Sequence, residues 1–389
     1  MGKRGDNEGS VFQRKKTGKW VAQVFIGYRP DGKRDYKTYT CATQREALEK
    51  LKAAHATLER AGPLVTKRQT VRQFLERWLE DVIKPPRAPR TYESYASESR
   101  RNIAPTLGHL QLDKVMPQDV QRFLSHLGQE GGAHGQGLSP RTVAYNRAIL
   151  RKALNQALRW GEVARNAPTL IHPSTVRRHE IRPLDADQAH RFPDAARGDR
   201  LEALYTVAVS IGLREGEILG LRWEDVDLDR GMVQVRKQFQ RIDGKPRLCD
   251  LKTESSRRDI NLPPTLVAQL WAHRIRQAEE RLSRPRWHDW NLIFPSTVGT
   301  PLDPQNLTKR FKALLAKAGL PDIRFHDLRH SCATLLFAQG VPLGVVQRTL
   351  GHSQVSLTMN TYVHIFPEVQ KQAADAMERL LGGARTGVG

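Results

Sequence analysis

Between Thr70 and Trp160 the apolar residues recur at helical spacing, and this constrains the chain more than any other feature. In TVRQFLERWLEDVI, Val71, Phe74, Leu75, Trp78, Leu79 and Val82 fall at i, i+3, i+4, i+7, i+8 and i+11, one broad apolar face. PPRAPR interrupts the run. TYESYASESRRNI resumes it, with Arg100 and Arg101 near its end. MPQDVQRFLSHL reads as a third helix, and SPRTVAYNRAILRKALNQALRW as a fourth, with Ser139 as N-cap and Pro140 at N1. The glycine-rich GQEGGAHGQGL between them reads as a mobile loop. Helices with apolar stripes bury them against one another, so residues 66–162 are expected to form a helical domain.

The flanks differ. Before this region, GSVFQR, WVAQVFI and DYKTYT are short β-rich runs separated by KKTGK and YRPDGK, both with turn chemistry. TQREALEKLKAA follows, with Thr43 and Glu46 at capping-box spacing. Residues 1–62 are therefore read as three antiparallel strands and one helix. After the helical region, 163–183 carries prolines and the basic RRHE patch and reads as a linker. From Leu184 a mixed α+β domain, 184–389, is expected. DADQAHRFPDAA and LEALYTVAVSIGL read as helices, MVQVRKQFQ, KPRLCDLK and SRRDINL as a small antiparallel sheet, and helices dominate again from Thr265. The class is multidomain, mainly α with small antiparallel sheets.

Charge narrows the partner. The formal net charge is +22 and the pI about 10.3, which favours a polyanion, most simply nucleic acid. Eight Lys/Arg face two Asp between Ser10 and Tyr39. Arg14, Lys15, Lys16, Lys19, Arg34 and Lys37 thus make a basic sheet suited to a major groove. Arg100, Arg101, Arg141, Arg147, Arg151 and Lys152 are candidate phosphate contacts in the helical region, although such a run also suits a solvated face. Cys41, Cys249 and Cys332 are scattered, without a CxxC pair, which points to reduced thiols in a cytoplasmic setting. The N-terminal MGKRGDNEGS has no apolar h-region, and the longest apolar run, Leu204 to Leu213, is far below the ~20 residues that span a bilayer.

Three segments carry groups that can do chemistry. In HDLRHSCATLLFAQG, His326, Arg329 and His330 share a helical face. Two histidines at i, i+4 can bind zinc, but Asp327 stands where the zincin HExxH motif has Glu, and no third acidic ligand follows at helical spacing. A core-histidine reading leaves Arg329 to be placed, and a buried guanidinium needs a partner anion, a local carboxylate or a phosphate. In GLREGEILGLRWEDVDL, Arg214 closes the apolar run and Glu217 can support it. Two arginines on separate buried elements suit a clamp on one phosphate, while a structural Arg–Glu pair would explain Arg214 alone. Asp225, Asp227, Asp229 and Gly231 imitate a calcium loop, but the glycine is one place late and Arg236 stands where Glu should close it, so a turn entering a strand is expected. In LGHSQVSLTMNTYVH, Tyr362 is a candidate nucleophile. A free phenol has a pKa of about 10 and needs neighbouring cations and a base to act at neutral pH.

Taken in order, Arg214 within GLREGE, His326 and Arg329 within HDLRH, His352 within LGH and Tyr362 within NTY resemble the tyrosine recombinase family, specifically the phage-type integrases. LKTESSRRDINL is similar to the family's lysine-bearing turn, so Lys252 is the counterpart there. Glu217 matches a supporting acidic position, and His330 adjoins the set. The helical region resembles the family's core-binding domain and the N-terminal sheet its arm-type DNA-binding domain.

That resemblance implies a site-specific recombinase working through a 3′-phosphotyrosyl intermediate, with no cofactor, metal or ATP. It implies double-stranded DNA at core and arm sites, four protomers on the DNA, and accessory directionality and DNA-bending proteins, in a bacterial cytoplasm. Val369, Ala373, Met377 and Leu380 or Leu381 lie at helical spacing after the tyrosine, and by resemblance this helix docks on a neighbouring protomer; it also reads as an ordinary terminal helix. A type IB topoisomerase would use similar chemistry without pairing two sites. A DNA-binding regulator would use the basic domains alone.

Overall fold

The computed structural model describes residues 10–14, 17–28, 34–61, 69–85, 89–132, 135–172, 182–251, 253 and 256–351, with 374–375, 377–379 and 381 near the C-terminus. The chain forms two compact units, divided at Arg178 and His179.

In the first unit β1 (Ser10–Gln13), β2 (Trp20–Tyr28) and β3 (Arg34–Cys41) form an antiparallel sheet in the order β1-β2-β3. Ser10 pairs with Gln23 and Trp20 with Cys41. Helix α1 (Gln44–Ala61) follows. Thr43 Oγ1 accepts from the Glu46 N–H at 3.2 Å, and the Glu46 carboxylate accepts from the Ala42 N–H at 3.1 Å, one residue earlier than a standard capping box. Ala22, Cys41 and Ala47 are the buried centre of this small core.

The helical region is α2 (Val71–Trp78), α3 (Pro89–Glu98), α4 (Ala104–Leu107), α5 (Pro117–Gln129) and α6 (Pro140–Arg159). The expected apolar stripe is buried from Val71 through Leu79, with Val82 at its edge. What the periodicity did not show is that α2 and α3 each widen into a π-helical turn, Leu79–Ile83 and Ser99–Ile103. Arg100 and Arg101 sit in the second of these. Ser139 caps α6, accepting from the Thr142 N–H at 3.3 Å, with Pro140 at N1 as expected. The glycine-rich loop is closed at its base: the Leu138 N–H donates to the Leu127 carbonyl at 2.8 Å. A Cβ on Gly137 would meet the Gly128 carbonyl oxygen at 2.2 Å, so only glycine fits that return.

The expected linker begins later than its composition suggests. Val163, Ala167 and Ile171 are buried in the helical core, and a short 3₁₀ turn spans Ala167–Leu170. Glu162 anchors it by accepting from Gln69 at 2.8 Å and from Arg77 at 2.6 Å. Prolines mark a break in regular structure, and here they punctuate packed chain.

Trp78, 1% exposed and stacked on Tyr95 at 5.9 Å, is the largest side chain in this core. Trp78→Ala is expected to cost about 3–5 kcal/mol. In calorimetry the transition of the first unit should fall by about 10 °C while that of the second stays in place. A common shift of both would refute independent cores.

The second unit holds α7 (Ala186–Ala195), α8 (Glu202–Ile211), α9 (Glu215–Leu219), β4 (Val226–Asp227), β5 (Met232–Val235), β6 (Lys237–Ile242), β7 (Lys245–Asp250), β8 (Arg258–Asn261), α10 (Pro264–Leu282), α11 (Pro304–Lys317), α12 (Asp327–Ala338) and α13 (Leu343–Leu350). The expected single sheet is two: β4-β5-β8, and a β6-β7 hairpin turning at Asp243-Gly244, both at positive φ. The Asp225–Gly231 segment runs from the end of a 3₁₀ turn through β4 into the β4–β5 turn, with Gly231 at φ +61° and Asp225 held by Arg222 rather than open to a cation. Helix α8 is buried along nearly its whole length, its Tyr205 packed with Phe192 and Phe311.

Candidate active site

The site is built around the end of α8. Gly212 closes that helix in the left-handed conformation, φ +62°, and a Cβ there would meet Leu350 Cδ2 at 2.5 Å. The chain turns through Leu213 into Arg214, the N-cap of α9. Glu217, 1% exposed, fixes this arginine twice: its carboxylate accepts from the Arg214 backbone N–H at 3.0 Å and from Nη1 at 2.7 Å. Arg214 Nη2 donates to the Gly351 carbonyl at 2.8 Å.

Helix α12 brings the second arginine to the same turn. Arg329, 3% exposed, donates from Nη1 to the Gly212 carbonyl at 2.8 Å, two residues before Arg214. The two arginines expected to meet thus do meet at one loop. His326 stands exposed at the start of α12, and His330 lies half-buried one turn on, their rings 5.3 Å apart edge to face. Although His326 is exposed overall, its imidazole is partly desolvated. Desolvation lowers its pKa first, then the charge of Arg329, with a smaller part from Arg214. His330 is pushed down to about 4 by burial, then by His326. Both imidazoles are therefore neutral at pH 7. Asp327, in the zincin glutamate position, is committed to Arg324, accepting from its Nη2 at 2.7 Å and its backbone N–H at 2.9 Å. No group of three or more His, Cys, Asp or Glu placed to hold a metal occurs among the described residues.

Between pH 6.5 and about 4 the unfolded chain binds the His330 proton and the folded chain does not, so stability is whole above pH 6.5 and falls as pH drops through that window. The loss is about 3 kcal/mol. Urea midpoints measured from pH 7.5 to 4.5 should show it, and His330→Gln should flatten the curve; an unchanged slope in that variant would place the titration elsewhere.

Lys252, His352 and Tyr362 lie outside the described residues, as do Lys15 and Lys16. Of the terminal helix, Met377 and Leu381 are described and are exposed. Arg14, Lys19, Lys37, Arg101, Arg141 and Arg151 are exposed, Lys37 lying over the Tyr39 ring. Arg34 opens β3, opposite Tyr28. Arg100 is exposed with Nε bonded to the Ala96 carbonyl. Arg147 and Lys152 are half-buried and already engaged, the first on the Ile171 carbonyl at 2.6 Å and the second over the Tyr95 ring.

Sequence reasoning missed Arg258. It begins β8 and faces inward with Ile260, and it contacts Glu217 beside Arg214. The signal was there: in SRRDINL, the period of two puts Arg258 on the apolar face.

Comparison with known proteins gives the family. Residues 182–368 match the model of the phage integrase family, and 70–128 that of the phage integrase N-terminal SAM-like domain. A tyrosine recombinase XerC-like protein of Caldanaerobacter subterraneus subsp. tengcongensis is 31% identical over 92% of this chain and 94% of its own. An integrase of Streptomyces ambofaciens is 30% identical over 95% and 96%. The Tn1549 transposon integrase, solved in complex with transposon right-end DNA, superposes with a TM-score of 0.65 at 21% identity, over 81% of this chain and all of that one. The chain belongs to the phage integrase family of tyrosine recombinases, enzymes of site-specific DNA recombination. No helix among the described residues is long and apolar enough to cross a membrane.

Proposed function

We propose that this chain is the integrase of a temperate phage or another integrative element, and that Tyr362 is its nucleophile. The observation that carries this is the convergence of Arg214 and Arg329 on the Gly212 turn, with a neutral His326 that feels both charges. In the proposed step the Tyr362 oxygen bonds to the scissile phosphorus, and the bond from phosphorus to the 5′-oxygen breaks. Arg214 and Arg329 hold the non-bridging oxygens and stabilise the charge that builds there. His326, neutral at pH 7, takes the tyrosine proton. Lys252 gives a proton to the leaving 5′-oxygen, and His352 donates a hydrogen bond to the phosphate. One phosphodiester replaces another, so no nucleotide is consumed. A 5′-hydroxyl from a partner strand then attacks the phosphotyrosine and reseals.

In this reading residues 1–62 bind arm-type DNA sites and 66–162 the core site. The exposed Arg14, Lys19, Lys37, Arg101, Arg141 and Arg151 face the phosphates. Four protomers assemble on double-stranded DNA in the host cytoplasm, aided by a directionality factor and a DNA-bending protein. The terminal helix docks on a neighbour.

The test needs no known site. The protein is incubated with supercoiled plasmid in EDTA and quenched with detergent. A DNA-linked protein band supports tyrosyl transfer without a divalent ion. A protein that binds plasmid, and also total DNA of its host, without ever forming that band is a regulator.

A further inference from the structure

We propose that Arg258 is a positioning residue for the phosphate clamp: it holds Glu217 and the end of α13 together, so that Arg214 is gripped from both sides. The inference rests on the reading of Arg214 as a phosphate ligand.

Burial of Glu217 does not require a second cation. Arg214 already meets that carboxylate with a backbone N–H and a guanidinium N–H. Yet Arg258 donates Nη2 to Glu217 Oε2 at 2.9 Å and reaches Oε1 from Nη1 at 3.4 Å. Burial alone would raise the Glu217 pKa; the Arg258 charge and hydrogen bond, then Arg214, outweigh it, and the carboxyl ends below its ordinary range. The remaining donors of Arg258 go elsewhere. Nε donates to the Thr349 carbonyl at 2.6 Å, in the last turn of α13, and Nη1 to the Ser256 carbonyl at 2.9 Å. Two residues past Thr349 is Gly351, whose carbonyl accepts from Arg214 Nη2.

The result is a closed ring. Arg214 is held by Glu217 on one side and by Gly351 on the other, and Arg258 bonds to the first and to the turn that carries the second. Gly351 has φ +67°, and a Cβ there would meet Arg258 Nη1 at 2.9 Å and Cζ at 3.1 Å. The Arg258 side chain therefore lies close against that turn. The Arg258 side chain is 7% exposed and its fork points into protein, so it acts through Arg214 rather than on a substrate. A planar fork with donors in fixed directions joins three elements more rigidly than an ammonium, which keeps the charge and only part of the contact. Tight placement matters because a clamp accelerates a reaction only if it already sits where charge will develop.

The substrate for the test is a duplex that the wild-type chain selects from a random-sequence pool by detergent-stable covalent capture. If the wild-type chain captures nothing from that pool, the phosphotyrosyl reading itself fails and takes the inference with it. With a selected duplex, single-turnover capture and DNA affinity are measured for Arg258→Gln, Arg258→Lys, Arg214→Ala and the Arg214→Ala, Arg258→Gln pair. Arg258→Gln is expected to slow capture about 100-fold at unchanged affinity. Arg258→Lys is expected to recover at least about 10-fold of that. On the Arg214→Ala background Arg258→Gln should add less than about 3-fold, because its target is gone. A full 100-fold loss on that background, or a wild-type rate for Arg258→Gln, overturns the proposal. Should Arg258→Gln melt below the assay temperature, Arg258→Lys takes its place in the cycle. Unfolding of both variants shows a role in stability alone and overturns the proposal as well.

Discussion

Tyr362→Phe is expected to bind DNA with wild-type affinity and to form no covalent adduct, a loss of about 10⁴-fold or more. The substitution removes one oxygen, and no other group in the proposed arrangement can make the same bond to phosphorus. A free phenol is only about one part in a thousand ionised at pH 7. The proposal therefore gives the neighbouring cations and the His326 base the work of activating it, and those contributions disappear with the atom they act on. The check is a denaturing gel of protein with DNA beside a gel-shift of the same variant. An adduct that survives Tyr362→Phe would transfer the nucleophile elsewhere. Loss of DNA binding as well would mean the tyrosine supports the fold or the complex.

Glu217→Ala is expected to lower stability by about 3–5 kcal/mol, a fall in melting temperature of about 10 °C for the catalytic unit. The carboxylate sits at 1% exposure between two guanidiniums. Arg214, over a third exposed, can turn to solvent when the anion is removed, but Arg258 at 7% cannot and is left charged and desolvated. The N-cap of α9 goes too, because the same carboxylate accepts from the Arg214 N–H. Glu217→Gln keeps the shape and should fall between wild type and Ala. Thermal melts of the three proteins decide it. A neutral Glu217→Ala would mean that the pair costs as much to desolvate as it returns.

The helical region was legible because a stripe such as Val71, Phe74, Leu75 and Trp78 admits one period, and the Ser139-Pro140 start admits one cap. The meeting of Arg214 and Arg329 was legible because GLREGE and HDLRH each pair a cation with an apolar run. The π turns at Leu79–Ile83 and Ser99–Ile103 were not, since one inserted residue per turn leaves the apolar stripe almost unchanged over five positions. The break between β5 and β6 at Arg236 is set by which strands pair, and pairing is long-range: β5 lies on β8, beyond the whole β6-β7 hairpin. The 163–171 segment looked like a linker because proline marks loss of regular structure, whereas burial of Val163, Ala167 and Ile171 depends on a groove made by residues far away in sequence. The period of two marked Arg258 as inward, but its partners were not legible, because Glu217 and Thr349 lie 41 and 91 positions away in sequence.

Arg214 and Arg258 bring two positive charges to Glu217, which supplies one negative charge, and Arg329 adds a third positive charge at the Gly212 turn, so these four groups carry an excess of two. On the proposed reading of Arg214 as a phosphate ligand, an anion entering beside it offsets that excess. Occupancy and resistance to unfolding then rise together, by RT ln(1 + [L]/Kd). A recombinase made this way is at its least durable when it has nothing to cut.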